Sequence, residues 1–340
     1  MTHIGVLTAG GDCPGLNAAI RGVVVRADAS RAEVSGIVNG WEGLMNRNVR
    51  RLRRDDVRGI VTRGGTILGT SRADPYVHGQ GLASIRPTLE EEGIDSVVVI
   101  GGDGSLRTAA RLGEEGVSVV GVPKTIDNDI TGTDISFGFD TAVQIVTDAI
   151  DRLTTTAESH NRIMVVEVMG RQSGWIAVQS GLAGGAEAIL VPEEAYDLDD
   201  LARRLIRRHD SGSAYSVVVV AEGVTAPTGE LMTLGKDTAG FERLGGVSTV
   251  IAAELERLTG FETRVMILGH LQRGGTPTAF DRVLATRLGI RAAEAALEGE
   301  FGMMTASRGS EIVMVPLTSA VSEPRSVPGS RLDEVRWFGV

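Results

Sequence analysis

Short apolar runs, several of them ending in glycine, recur along this chain and alternate with amphipathic stretches. The runs Ile4–Thr8, Ser96–Ile100, Ser118–Val122, Ile163–Val168, Ala188–Val191, Ser216–Ala221 and Val265–Leu268 predict strands. Their near-continuous apolar character suits strands of a parallel sheet covered on both faces. Between them, Leu16, Ala19, Ile20, Val23, Val24 and Ala27 repeat at the spacing of one buried helix face, with Pro14 near the start where proline is tolerated. Further helices are expected at Thr141–Leu153, Asp199–Arg208, Val247–Thr259 and Asp281–Leu297. Strand, glycine turn and helix in alternation indicate an α/β fold, in which ligands sit at the carboxyl ends of the strands.

Composition narrows the class. At 340 residues the chain is long enough for two domains and a substantial core. The net charge of −10 argues against a nucleic-acid partner, and an anionic substrate would have to be met by locally placed arginines. A single cysteine, Cys13, excludes an intrachain disulfide and fits a reducing compartment. It has no neighbouring base in sequence and reads as a small turn residue. The opening residues carry neither a basic leader nor a long apolar region, and the apolar runs are far shorter than the ~20 residues that span a bilayer. A cytoplasmic location without membrane contact is expected. The 45 glycines fall in clusters at strand ends, so tight strand-to-helix turns explain them better than a linker or collagen-like repeat does.

Three clusters carry candidate chemistry. Gly10-Gly11-Asp12 and Gly101-Gly102-Asp103-Gly104-Ser105 each follow an apolar strand and lead into a helical pattern. Glycine admits close approach of a phosphate to backbone N–H groups, and Asp103 adds a carboxylate suited to Mg²⁺ beside polyphosphate. One such cluster is as readily a plain turn; two at strand ends favour a phosphate site. The third, Pro123-Lys124-Thr125-Ile126-Asp127-Asn128-Asp129, sets two carboxylates two residues apart. In an extended segment they point the same way, one able to take a proton from a hydroxyl. An Asx-rich turn is the competing reading.

With Gly10–Asn17, these motifs resemble the 6-phosphofructokinase family. The likeness continues through Asn161-Arg162, Met169-Gly170-Arg171, Ala221-Glu222-Gly223 and Gly269-His270-Leu271-Gln272-Arg273-Gly274-Gly275, in the family's order. The resemblance implies two Rossmann-like domains with largely parallel sheets flanked by helices and an active site in the cleft between them. The implied domains are about 1–138 with 272–318, binding ATP, and about 139–271 with 319–340, binding fructose 6-phosphate. It implies Asp127 as general base, with Thr125, Asp129, Arg171 and Gly11 sharing in catalysis. Gly11, Arg72, Gly102, Asp103, Gly104 and Ser105 would bind ATP, with Mg²⁺ on Asp103. Arg162, Met169, Gly170, Arg171, Glu222, Arg264, His270 and Arg273, beside Thr125 and Asp127, would hold the sugar phosphate. In the family the residues matching Arg162 and Arg264 come from a neighbouring subunit, so a homotetramer is implied.

Some positions depart from the family's pattern. Pyrophosphate users usually carry aspartate where Gly104 stands and lysine where Lys124 stands, whereas many ATP users have glycine at both. Gly104 leaves room for the α-phosphate and Lys124 need not exclude a nucleotide, so ATP is the expected donor and pyrophosphate the alternative. A non-catalytic sugar-phosphate sensor is a more distant alternative, and Asp103, Asp127 and Arg171 speak against it. A kinase of the NAD or lipid type would lack the His270–Gly275 motif. Arg21, Arg54 and Glu187 match part of the family's effector site, but Thr154, Ser211, Gly212 and Ser213 replace its expected basic residues, so a weak effector response is expected. The arginine-rich run from Arg47 to Arg58 is expected on an exposed or interface face. An insertion at 227–246 is expected as a surface loop or hairpin, and the stretch after about Ser319 as a docked or mobile tail.

Overall fold

Most of the apolar runs become strands buried end to end. The computed structural model describes residues 1–236 and 242–338. It divides into two compact units, the first made of Met1–Thr141 and Arg273–Pro324, the second of Ala142–Gln272 and the segment from Arg325 on.

Unit 1 opens with β1 (His3–Ala9), α1 (Leu16–Ala29), β2 (Glu33–Ile37), α2 (Trp41–Met45) and β3 (Val49–Arg51). It continues with α3 (Pro75–His78), α4 (Leu82–Glu92), β4 (Ser96–Gly101), α5 (Asp103–Glu114), β5 (Val119–Thr125) and β6 (Phe137–Gly138). The chain passes along α6 (Phe139–His160) into unit 2, which holds β7 (Ile163–Val168), α7 (Trp175–Ala183), β8 (Ala188–Leu190) and α8 (Leu198–Asp210). There follow β9 (Ser216–Ala221), β10 (Thr233–Lys236), β11 (Glu242–Leu244), α9 (Val247–Thr259) and β12 (Thr263–Ile267). After a 3₁₀ turn at Gly269–Arg273 come α10 (Ala279–Glu298), β13 (Met303–Arg308), β14 (Glu311–Pro316) and α11 (Leu317–Ala320) of unit 1, and lastly α12 (Gly329–Phe338) of unit 2.

In unit 1 the sheet order is β14-β13-β5-β4-β1-β2-β3, with β6 paired to β5. The strands β13, β5, β4, β1 and β2 run parallel, while β14 and β3 are antiparallel edges. β4 is buried throughout and β5 except at Thr125, as their unbroken apolar sequences require. Two glycines let α1 and α10 cross with their backbones nearly touching. A Cβ on Gly22 would lie 2.5 Å from the Thr286 carbonyl oxygen, and one on Gly289 would lie 2.3 Å from that of Ala19. α4 is absent from the sequence pattern because Pro87 interrupts it, yet the helix closes around that residue.

Unit 2 carries a four-stranded parallel sheet in the order β12-β7-β9-β8. β7 and β9 are fully buried. The expectation of burial on both faces fails at β12. It is an edge strand, and Met266 and Ile267 stand 39% and 48% exposed. Segment 227–246 includes the antiparallel pair β10 and β11; residues 237–241 lie outside the described residues. The C-terminal stretch is docked on unit 2. Trp175 Nε1 donates to the Arg325 carbonyl (3.2 Å), Val327 N–H donates to Glu193, and Arg336 pairs with Glu194. Among the described residues no helix is long and apolar enough to cross a membrane. The arginine run is largely a paired, exposed face of unit 1: Arg47 meets Glu91, Arg51 meets Glu33 and Arg54 meets Asp28.

Candidate active site

Strand register assembles the three motifs of unit 1. β1, β4 and β5 are neighbours, with Ala9 opposite Gly101 and Gly101 opposite Pro123. The turns at Gly10–Gly11 and Gly102–Asp103 and the end of β5 at Lys124–Thr125 therefore emerge side by side at the carboxyl edge, about 5 Å apart per strand. Gly10 adopts a left-handed φ of 83°, and its N–H donates to the Ser71 carbonyl (2.9 Å) while Thr70 Oγ1 donates to its carbonyl (2.7 Å). The segment bearing Arg72 is thereby tied along this turn. Gly102 caps α5 in an extended conformation, so the free N–H groups of the first turn, with Asp103 and Ser105 among them, open at the same edge. A Cβ on Gly104 would meet nothing within 4 Å, so the residue faces open space. Asp103 accepts from Arg107 Nη2 through both oxygens (3.0 and 3.2 Å), a pairing one helical turn apart.

Two cations converge on Gly11. Lys124 is buried, its ammonium donates to the Gly11 carbonyl, and loss of solvation pushes its pKa down. Arg273, read from the sequence with the sugar-phosphate set, lies in unit 1 with its guanidinium against Gly11, and its Nε is buried without a hydrogen-bond partner among the described residues. Cys13 is buried, burial pushes its thiol pKa far up, and its Sγ donates to the Phe137 carbonyl. It is a packed turn residue rather than a nucleophile, as its sequence setting suggests.

The segment after β5 is a turn and not an extended strand, because Asn128 is left-handed (φ 53°). Asp127 and Asp129 therefore do not share a direction by strand alternation. The turn is held by Asp127 N–H donating to Thr125 Oγ1 (3.0 Å), Ser136 N–H to Asn128 Oδ1 (3.0 Å) and Ser136 Oγ to the Thr125 carbonyl (2.9 Å). Asp127 is 5% exposed, and its Oδ1 is buried with no hydrogen-bond partner among the described residues. A buried acceptor without a donor is costly, and such groups concentrate where chemistry needs them.

Unit 2 gathers its own set at the carboxyl ends of β7, β9 and β12. Glu222 N–H donates to the Val168 carbonyl, and Arg171 N–H donates to Glu222 Oε1 (3.0 Å). Gly170 (φ 144°) and Arg171 (φ 53°) turn the chain so that the arginine is exposed at this edge. Met169 N–H donates to Gln272 Oε1 (3.2 Å), which ties the 3₁₀ turn carrying His270 to the end of β7. Thus Met169, Gly170, Arg171, Glu222 and His270 share one edge.

Arg162 and Arg264 do not. Arg162 directly precedes β7, and Arg264 pairs across from Met164 near the amino end of the same sheet. The six residues of β7 put about 20 Å between these arginines and Met169.

The model of the family described as phosphofructokinase matches residues 3–296. The chain belongs to the phosphofructokinase family. It is 52% identical over 335 residues to ATP-dependent 6-phosphofructokinase 3 of Streptomyces coelicolor, covering 98% of each chain. It is equally 52% identical over 339 residues to the pyrophosphate–fructose 6-phosphate 1-phosphotransferase of Amycolatopsis methanolica, covering 99% of each. Among solved structures, phosphofructokinase of Pichia pastoris in the T-state aligns with a TM-score of 0.85 at 34% identity, over 94% of this chain. This phosphofructokinase-family chain spans about a third of that longer protein, 35% of it.

Three buried polar side chains have no role assigned from the sequence. Gln272 is fully buried and bridges Met169 N–H and the Gly269 carbonyl. Glu167 caps α9 through Gly246 N–H, Ser248 N–H and Ser248 Oγ. Asp281 accepts from Gly138 N–H, Thr141 N–H and Thr141 Oγ1. A carboxylate beside an apolar run was the signal for Glu167, but it is silent about the partner.

Proposed function

We propose that this chain is an ATP-dependent 6-phosphofructokinase, transferring the γ-phosphoryl group of ATP to the 1-hydroxyl of fructose 6-phosphate. The observation that carries the reading is Asp127: a buried carboxylate with an unpartnered oxygen, set at the glycine-lined edge of unit 1. In this role Asp127 takes the proton of the 1-hydroxyl as that oxygen attacks the γ-phosphorus and the bond to the β-phosphate breaks, releasing ADP. Thr125 binds the migrating group, Asp129 supports the base, and Gly11, Arg72, Gly102, Gly104 and Ser105 cradle the nucleotide phosphates. Phosphoryl transfer depends on positioning and charge stabilisation, which backbone N–H groups and cations supply.

The residues present suit Mg²⁺. Asp103, at the start of α5 on this edge, would hold the ion together with the nucleotide phosphates. That division is how Mg²⁺ binds beside polyphosphate, and it would neutralise charge on the transferred group. Arg107 would give up its hold on Asp103 when the ion arrives.

Two features favour ATP over pyrophosphate. Gly104 faces open space. The Lys124 ammonium is spent on the Gly11 carbonyl inside the turn instead of being presented at the edge.

On unit 2, Met169, Gly170, Arg171, Glu222 and His270 hold the sugar, with Arg171 also neutralising the transition state. Arg162 and Arg264 stand a strand's length away from that set, so they would serve a site in another copy of the chain. The exposed Met266 and Ile267, which follow Arg264 along β12, give an apolar surface for that contact. A homotetramer in the cytoplasm completes the proposal.

A coupled assay with ATP and with pyrophosphate tests it, using Asp127→Asn as the control. Turnover with ATP, falling at least ~10²-fold in the variant, is expected. Turnover with pyrophosphate alone overturns the donor, and an unaffected variant overturns the base.

A further inference from the structure

Glu262 sits between the two arginines that unit 2 sets apart from its other site residues. Its carboxylate accepts from Arg162 Nε (2.7 Å) and Nη2 (3.0 Å), one bond to each oxygen. Arg264 Nη2 donates to the same carboxylate, while Arg264 Nη1 donates to the Thr263 carbonyl (3.0 Å). Backbone bonding fixes the arrangement, since Ile163 N–H donates to the Glu262 carbonyl (3.0 Å) at the start of the β7 and β12 pairing. Arg162 is itself fixed: its N–H donates to the Ala157 carbonyl, closing α6 through left-handed Asn161.

Two guanidinium groups this close repel each other unless an anion lies between them. Glu262 supplies that anion and engages Arg162 along one edge only. The Nη1 edge of the fork is left for an incoming oxyanion, the geometry in which arginine binds phosphate. Arg162 is also the less exposed of the pair, with 26% of its side chain open against 52% for Arg264. The Arg162 guanidinium holds the Glu262 carboxyl below the usual carboxylate range, so the counter-charge is in place at neutral pH.

We infer that Glu262 is a positioning residue for sugar-phosphate binding, holding Arg162 and Arg264 side by side as a preformed two-arginine clamp. The inference rests on the proposed role of those arginines. Glu262 touches no substrate; it sets where the clamp's charges stand before the phosphate arrives.

The test compares Glu262→Gln, Arg162→Ala and the double variant of the full-length protein in fructose 6-phosphate saturation curves at fixed ATP. Glu262→Gln is expected to raise the KM for fructose 6-phosphate about tenfold, the scale on which outer partners of a bound ligand act. It should leave kcat and the KM for ATP within about twofold, the mark of lost uniform binding. Glu262→Asp, which keeps the charge, should recover part of the loss. With Arg162 already gone, adding Glu262→Gln should raise KM by less than it does alone, since only Arg264 is left to position, a non-additivity that a merely structural role would not produce. A lowered or unchanged KM in Glu262→Gln, or strict additivity in the double variant, overturns the inference while leaving the arginine reading standing. An unchanged KM in Arg162→Ala overturns both.

Discussion

The guanidinium of Arg273 lies over Gly11 so closely that a Cβ there would sit 1.6 Å from Nη1 and 2.8 Å from Cζ. The side chain that has to move is long, so the fold can accommodate the change while the site cannot keep its geometry. Gly11→Ala is expected to lower kcat/KM for ATP by at least about tenfold, as expected for displacing preorganised charge. The melting temperature should fall by no more than about 2 °C, within the range of a change without core loss. Activity close to wild type would show that Arg273 has no fixed task beside the nucleotide turn.

Much of this arrangement is legible in the amino-acid sequence. The runs at Ile163–Val168 and Ser216–Ala221 are strands with the same bounds in the structure, because residues covered on both faces need no polar alternation. The glycine turns are legible for the same reason the register works: each closes a buried strand. Helix α4 is not, because Pro87 breaks its period. Nor is the turn at Asn128, where one left-handed residue removes the strand alternation that two spaced carboxylates suggest. Glu262, Glu167 and Asp281 are illegible because their meaning lies in partners 100, 79 and 140 residues away.

Asp281 predicts a pH dependence. It is buried, and burial outweighs its three donors, raising its pKa from 3.8 to about 6. A carboxyl raised in the folded state contributes stability that is fully present below the unfolded value and is lost as pH rises through the folded one. The contribution should therefore disappear between about pH 4 and pH 6, a change of up to about 3 kcal/mol. Urea unfolding of wild type and Asp281→Asn across pH 4–7 checks it. The stability difference in favour of wild type should shrink as pH rises, and a difference that grows instead sinks the assignment.

Glu167 holds α9 to the end of β7. Gly246 N–H, Ser248 N–H and Ser248 Oγ all donate to its carboxylate, at 2.9, 2.9 and 2.6 Å. Glu167→Ala strips the helix start of its acceptors in a buried setting and should cost about 3 kcal/mol, on the scale of buried groups left unsatisfied. Glu167→Gln, which keeps one acceptor oxygen, should cost about half of that. Denaturant midpoints at constant slope provide the measurement, and equal losses in both variants would show that packing rather than capping is at stake.

Regulation by an anionic effector should be weak. By resemblance Arg21, Arg54 and Glu187 correspond to part of the family's effector site, and two of them are held by other partners. Arg54 faces Asp28 (3.4 Å), and Glu187 is buried, accepting from Arg208 Nη2 and Val217 N–H at 2.5 Å each, while burial pushes its pKa up. Where basic residues are expected, Ser211 Oγ donates to the Arg208 carbonyl and Thr154 Oγ1 to that of Ile150, neither carrying charge. A charge-assisted hydrogen bond contributes about 1.5–3 kcal/mol, so losing two weakens a doubly charged effector at least about a hundredfold. A millimolar nucleoside diphosphate or phosphoenolpyruvate should therefore shift half-saturation by fructose 6-phosphate less than about twofold, since a ligand moves an equilibrium only by its differential affinity. A shift of about tenfold in initial-rate curves would mean that another set of cations, not Arg21 and Arg54, receives the effector.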